Sequence, residues 1–394
     1  VALFLKRAGF VAEVFEAQPE RAAAEGSFLN IASNGLHVLR ELGLDGAVAA
    51  EGFRIPRMVM WGGGGRRLGA VRNGVVPGQG PASVVLRRGD LHRILGEAAA
   101  RAGIPFHYDR RLVGITTTEG QQVVAQFADG SAAEGDLLVG CDGIHSYVRQ
   151  AIDPDAAKPG YTGLLSCGGY TRRSGLPPTP ETQHLIFGRR AFFGYFVKES
   201  GEAWWFSNIS EPGEPRRSAL ARVPQEEWRR RLLELHAADQ PFIGELIRGA
   251  TEPITIYPIY DLATTSHWHR GPLVLLGDAA HATSPSAGQG ASLALEDAIV
   301  LAKCLRDIPR PAEALATYER LRRARAEKVV AFSRQRGSDK AAPNALARWL
   351  RDLMLPVVLR LIANPKGLDW LYGYRVLWEE PLEPAAETSA QTSA

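Results

Sequence analysis

The chain has 394 residues, 45% hydrophobic and 23% charged, with 46 Lys and Arg against 43 Asp and Glu. That length buries more than one core, and the composition is that of an ordinary globular protein. A net charge of +3 gives no basic stripe for nucleic acid and no pull toward an anionic membrane, and no run reaches the ~18 apolar residues of a membrane span. The three cysteines, Cys141, Cys167 and Cys304, have no spacing that suggests a disulfide frame or zinc. They suit a reducing compartment, so a cytoplasmic location and no metal site are expected.

In chain order, residues 1–10 read as the last turns of an amphipathic helix closed by Gly9. Residues 11–15 then alternate as a strand ending at Glu16, an acid placed where a dinucleotide-binding βα unit holds a ribose hydroxyl. The Gly-x-Gly-x-x-Gly that precedes such an acid by about 20 residues is not in the sequence, and no Met opens it. The expectation is a fragment lacking on the order of 15 residues of strand and Gly loop, with an unpaired interior sheet edge left behind. Met58-Val59-Met60-Trp61 is strand-like. The glycines at 62–65 lack the Lys-Ser/Thr of a phosphate loop, so a hairpin turn is expected there.

Arg88-Gly89-Asp90-Leu91 opens a helix to about Ala102. Residues 112–118 and 122–127 read as a hairpin, with a further turn at Asp129-Gly130. A strand end at 136–139 leads through Gly140-Cys141-Asp142-Gly143 into a helix near Ser146, where Asp142 either caps the helix or reaches a ligand. Residues 187–196 and 203–206 read as neighbouring antiparallel strands. Alternation sends half of their side chains to one face, and for any single aromatic, core packing is the better reading. Helices at 226–238 and 241–249 are expected to lie on this sheet.

Leu273-Val274-Leu275-Leu276 reads as a buried strand. It ends in Gly277-Asp278-Ala279-Ala280-His281, followed by Pro285, Gly288-Gln289-Gly290 and a helix over 293–305. Glycines let backbone approach a flat or charged ligand, a helix start offers unpaired N–H groups, and Asp278 at a strand end can accept hydrogen bonds from sugar hydroxyls. His281 is open to two roles, general base or holder of the turn, the second being preferred. Arg320, Arg322, Arg323 and Arg325 read as a solvated helix face. The apolar run at 350–362 and Trp370, Tyr372, Tyr374 and Trp378 read as a cap on the protein's own core.

The string GDAAHATSPSAGQGASLALEDA at 277–298, the Asp-Gly string at 140–149 and the Arg88–Leu91 helix start together resemble the fingerprints of single-component FAD-dependent aromatic-ring monooxygenases of the para-hydroxybenzoate hydroxylase type. The resemblance implies an α/β fold, with a Rossmann-like FAD-binding domain (1–55, 85–160 and 259–310) interleaved with a smaller antiparallel-sheet substrate domain (56–84 and 161–258). C-terminal helices (311–378) and a disordered tail (381–394) complete it. It implies FAD as cofactor, NADH or NADPH as reductant, and O2 with an aromatic or polyketide-like small molecule as co-substrates, hydroxylated or epoxidised through a flavin C4a-hydroperoxide.

The resemblance assigns cofactor binding to Glu16, Arg88, Asp142, Gly143, Gly277, Asp278, Pro285, Gly288, Gln289 and Gly290. Pro285, Gly288, Gln289 and Gly290 form the catalytic set, the last three through N–H groups aimed at the flavin N1–O2 edge and Pro285 as a wall near C4a. Phe193, Tyr195 and Trp205 become candidate pocket residues only by this resemblance, since the family's sheet forms a flat aromatic pocket. Cys141, Ser284 and Ser292 depart from the usual Ala, Pro and Asn. A halogenase, a reductase or a non-catalytic binding protein on the same fold are the alternatives, and Trp204-Trp205-Phe206 lacks the halogenase Trp-x-Trp-x-x-Pro string. Neither nucleic acid nor a membrane is expected as a partner, and a monomer and a homodimer stay equally open.

Overall fold

The computed structural model describes residues 1–20, 27–74, 82–118, 122–338, 350, 353–356 and 365–382. The Gly/Pro-rich stretch at 75–81, most of the apolar run at 350–362 and the expected tail beyond 382 lie outside the described residues.

The chain opens with helix α1 (Ala2–Arg7), which buries Phe4 and Leu5. Gly9 stops it at φ +91°, a conformation that costs other residues about 1–2 kcal/mol. Strands β1 (Val14–Phe15) and β2 (Phe28–Ile31), helices α2 (Ser33–Glu41) and α3 (Asp45–Glu51) and strand β3 (Phe53–Arg54) follow. Next come the hairpin β4 (Arg57–Gly62) and β5 (Arg67–Arg72), then β6 (Val84–Arg87), α4 (Arg88–Arg101) and β7 (Phe106–His107). β8 (Leu112–Thr117), β9 (Val123–Phe127) and β10 (Ala132–Gly135) form an antiparallel meander. The sequence reading stops at the hairpin and misses β10, because Ala132-Ala133-Glu134-Gly135 carries no β-branched or aromatic residue.

After β11 (Leu138–Gly140) and α5 (Tyr147–Ile152) come β12 (Gly160–Thr171), β13 (Thr182–Phe187), β14 (Ala191–Val197) and β15 (Ala203–Ser210). Helices α6 (Arg217–Arg222), α7 (Gln225–His236) and α8 (Pro241–Arg248) precede β16 (Thr255–Asp261). The chain closes through β17 (His269–Arg270), β18 (Leu273–Leu275), α9 (Asp278–His281), a 3-10 turn (Pro285–Ala287), α10 (Gly290–Asp307), α11 (Pro311–Ser338) and a short helix at Asp369–Tyr372.

Two parallel pairings mark the α/β half, β1 with β7 and β11 with β18. Among the described residues no strand joins the two pairs. The apolar side of α10 (Ile299, Leu301) packs between these strands, α1 and α11, against Phe4, Val274, Leu275 and Tyr318, and its Leu293 packs with Ala32 and Val329. The second half is a seven-stranded sheet in the order β16-β12-β15-β14-β13-β4-β5. One of its faces is sealed by α7 and α8: Cys167, Ile186, Phe193, Trp205 and Ile209 interdigitate with Trp228, Leu232, Ile243 and Ile247. Its other face is turned toward the α/β half, and the site lies between them.

Candidate active site

Strand β18 is buried along its length and ends at Gly277, with φ +62° and ψ −137°. A side chain there would be strained, and its Cβ would stand 3.0 Å from the Ala294 Cβ. This turn leaves Asp278 at the carboxyl end of the strand, on the wall of a cavity of about 1110 Å³. Asp278 is exposed on that wall, while the surrounding protein takes part of the water from its carboxylate. Enclosure pushes its pKa up, His281 pulls it down, and the Asp297 charge adds to the rise.

The 3-10 turn that follows places Pro285, Ser286 and Ala287 on the same wall. Ser333 on α11 fixes the turn, donating to the Ser284 carbonyl at 2.7 Å and accepting from the Ala287 N–H at 3.1 Å. Ser284 therefore serves this clamp. Gly288 then takes φ +61°, and a Cβ on it would meet the Asn30 amide at 3.0 Å. The Gly288 N–H donates to the Pro285 carbonyl at 3.1 Å, so it does not point at a ligand as expected. The N–H groups offered by α10 begin with its own first turn, at Gly290. Ser292 is also withdrawn from the cavity, accepting the Ala32 N–H at 3.0 Å.

Gln289 is fully buried and lines the cavity. Its Oε1 accepts from Asn34 at 2.9 Å, whereas its Nε2 has no partner. A buried amide left unpaired costs ~1–3 kcal/mol, which an acceptor on a ligand would relieve. The glycine cradle, the orphaned amide and the open Asp278 carboxylate fit a flat, sugar-bearing cofactor.

Behind this wall lies a sealed charge network. Asp297 accepts from His281 Nε2 at 2.6 Å, from the Gly277 N–H at 3.0 Å and from Arg322 Nε at 2.7 Å. Arg322 also stands 2.7 Å from Glu296, which Arg325 grips from the other side at 2.8 Å. Burial alone would raise the Asp297 pKa, but His281 and Arg322 hold it down at about 2. For His281, burial pulls down and the Asp297 charge and hydrogen bond more than reverse it, so its pKa is raised. His281 is thus a buried partner of Asp297 that pins the fingerprint turn. The basic cluster needs a matching correction. Arg322 is 0% exposed, because residues three apart on α11 place Arg322 and Arg325 on its inner side.

The second motif is tied to the first. Arg149 is buried and donates to the Ala279 carbonyl at 2.9 Å. Asp142 uses its carboxylate as a helix cap, accepting from the Tyr147 and Val148 N–H groups at 2.7 and 3.1 Å. Its neighbours Cys141 and Gly143 line the cavity instead. Glu16 ends β1 off the cavity wall, holding the Gln18 N–H at 2.8 Å. Arg88 opens α4 as expected, exposed and with its N–H on the Ser27 carbonyl at 3.1 Å, and it is also off the wall. Arg87 is the arginine turned to the sheet, 3.9 Å over the Tyr170 ring and 2.9 Å from Glu252.

The expected pocket residues lie on the wrong face. Phe193 and Trp205 are 0% exposed, stacked 5.7 Å apart beneath the helices. Tyr195 packs on the same side against His184 and Phe242. The cavity is lined by their sequence neighbours, Phe192 and Phe206, together with Leu185, Phe187, Met58 and Met60. A strand alternates with period two, so a one-residue error in assigning the face inverts every side chain. Here both faces are apolar and alternation alone does not tell them apart. Gly168, Gly194, Ser166 and Asn208 share the cavity face, but Gly169, Thr171 and Ser207 lie on the packed one, so residue type does not separate the two faces either.

A family model described as an FAD binding domain matches residues 1–333. The chain is 30% identical over 359 residues to the aurachin C monooxygenase/isomerase of Stigmatella aurantiaca, covering 89% of each chain. It is 30% identical over 388 residues to the 3-amino-4-hydroxybenzoate 2-monooxygenase of Streptomyces cremeus, covering 95% of this chain and 91% of that one. The crystal structure of Klebsiella pneumoniae HpxO complexed with FAD and uric acid has the same fold, with a TM-score of 0.81 at 23% identity over 94% of this chain and 93% of that chain. The chain belongs to this FAD-binding family. It is an FAD-dependent monooxygenase, an oxidoreductase.

Proposed function

We propose that the protein uses NADH or NADPH and O2 to place one oxygen atom on an aromatic or polyketide-like small molecule. The observation that carries this reading is a single cavity. Its one wall is Gly277, Asp278 and the Pro285–Gly290 turn, and its other wall is the aromatic face of the large sheet. Bound FAD supplies the redox chemistry, taking electrons from the nicotinamide nucleotide and delivering them to O2. One NAD(P)H, one proton and one O2 are consumed, and one oxygen atom leaves as water.

The chain's own residues supply position and environment. Asp278 accepts hydrogen bonds from the cofactor's sugar hydroxyls. The Gln289 amide and the first-turn N–H groups of α10 would hold the bound cofactor and stabilise negative charge on it, as fixed dipoles do. Pro285, Phe192 and Phe206 keep that wall dry. Asp142 shapes the turn that presents Cys141 and Gly143, and Glu16 and Arg88 are contacts for parts of the cofactor beyond the cavity. A cytoplasmic location is proposed on cysteine usage, and among the described residues no helix is long and apolar enough to cross a membrane.

The test is to load the purified protein with FAD and add NADH or NADPH without air. Bleaching of the visible flavin bands, their return with air, and a one-oxygen mass gain in an added aromatic compound are expected. Bleaching without oxygen transfer to any aromatic compound would favour a reductase. A folded protein that takes up no FAD would remove the reading.

A further inference from the structure

The cavity face of the large sheet is ordered in rows. Tyr257, Ser166, Asn208, Phe192 and Phe187 stand opposite one another across β16, β12, β15, β14 and β13, and all line the cavity. The next row is Gly168, Phe206, Gly194, Leu185 and Met60. A Cβ on Gly194 would stand 2.2 Å from Phe206 Cε1, so the missing side chain lets the Phe206 ring lie along the sheet. The result is a flat apolar floor with a polar corner on β16, β12 and β15, and Gln183 as a further polar group at the β13 side.

That corner is neutral. Ser166 and Asn208 are each 4% exposed. Burial pushes the Tyr257 phenol up while its hydrogen bond with Ser166 opposes this, and the net shift is upward, so Tyr257 stays an O–H donor. Among the described residues, the charged ones lining the cavity are Asp278, on the fingerprint, and Arg336. Arg336 lies over the Phe332 ring at 4.6 Å. The next residue, Gly337, lies against Ser286, and the groups that shift the Tyr257 phenol are Ser166 and Cys167 rather than Arg336. A carboxylate in the corner would lose its water and meet neutral groups alone, whereas a hydroxyl, an oxo group or a ring N–H would find matched partners. The floor crosses from β16 to β4, six neighbouring strands. At about 4.8 Å per strand that is roughly 24 Å, several times the width of one aromatic ring.

We propose that the Tyr257–Ser166–Asn208 corner binds the uncharged heteroatom edge of a fused-ring aromatic substrate whose apolar body lies over Phe206 against Phe192 and Leu185. The proposal rests on the monooxygenase reading and adds the substrate's chemistry: neutral at the recognised edge, larger than one ring, held by hydrogen bonds rather than by an ion pair.

A matched pair of fluorescent probes tests it, 2-naphthol and 2-naphthoate, titrated into the FAD-loaded protein. Binding is read from probe fluorescence and, separately, from perturbation of the flavin bands. The neutral naphthol is expected to bind at least ~10-fold tighter than the carboxylate. Tyr257→Phe and Asn208→Leu should each weaken naphthol about 3- to 10-fold, the worth of one hydrogen bond, with FAD content unchanged. Arg336→Met should leave the preference in place.

Tighter binding of the carboxylate, lost in Arg336→Met, would overturn the proposal. Equal affinities that ignore the corner variants, or no binding of either probe to FAD-loaded protein, would overturn it as well. Probe fluorescence does not depend on redox activity. An intact naphthol preference without NAD(P)H-driven bleaching would therefore sink the monooxygenase reading alone, and the reverse pattern would sink the corner alone.

Discussion

Asp297 and His281 make one buried ion pair with two opposite pH limits. Asp297 has its folded pKa held near 2, below the usual 3.8. Its contribution is complete above the usual value and is lost as pH falls from about 4 toward 2. His281 has its folded pKa raised above 6.5. Its contribution is complete below that value and is lost as pH rises through the folded one. Denaturant midpoints measured from acid to mildly alkaline pH should therefore fall at both ends, and Asp297→Asn should flatten both limbs. The same substitution leaves Arg322 and His281 buried without their partner and should cost about 3–5 kcal/mol near neutral pH. A variant as stable as the parent would show that the pair adds nothing net. Asp278 plays a separate part. Asp278→Asn should weaken FAD binding about 10- to 100-fold, as expected for a charge-assisted hydrogen bond. Because its pKa is raised, wild-type affinity should drop as pH falls through that raised value, and flavin fluorescence titrations at several pH values would show it.

Strands β14 and β15 each present two different surfaces, and alternate residues should fail in different ways. Trp205→Ala empties a site sealed by α7 and α8 and should cost about 3–5 kcal/mol in denaturant melts, while the folded fraction keeps its FAD. Phe206→Ala should leave stability closer to wild type and weaken aromatic ligands instead. Reversal of these two outcomes would mean the sheet faces are assigned the wrong way round. The helix side also holds a Ser207–His236–Asp239 chain with contacts of 3.0 and 2.9 Å, the distances of a hydrolytic triad. Ser207 is 0% exposed and no substrate reaches it. The chain instead staples the hairpin turns: the Arg189 N–H donates to Asp239 at 2.9 Å, and a Cβ on Gly63 would stand 2.4 Å from the same carboxylate. Asp239→Ala should thus lower stability without changing FAD affinity.

The cavity joins segments that are far apart in the chain, from Ser27 to Leu355. A ligand there braces the nucleotide half, the large sheet and α11 together. FAD at 100 times its dissociation constant should raise the unfolding free energy by about 2.7 kcal/mol, seen as a concentration-dependent rise in melting temperature. Arg325 connects the last described segment to this body, through Glu296 at 2.8 Å and the Trp370 carbonyl at 2.7 Å. No rise in melting temperature with FAD would mean that the cavity does not take up the cofactor in the folded protein.

Local rules were enough for the fingerprint. A buried apolar strand, a glycine where only glycine holds the backbone and an acid at the strand end are short-range features, and the strand–glycine–acid order of Leu273 to Asp278 is the same in the fold. The helices over the sheet and the Gly9 stop were legible for the same reason, since period and capping are written in neighbouring residues. Tertiary structure alone decided which of two apolar faces meets a cavity, because Phe192 and Phe193 differ in surroundings and not in type. It alone turned Arg322 from a solvated charge into a buried partner of Asp297, since that depends on α10 lying against α11. It also gave Asp142 to a helix cap and the Gly288 N–H to Pro285. Hydrogen-bond partners are settled by where the chain returns in space, and residue spacing does not carry that information.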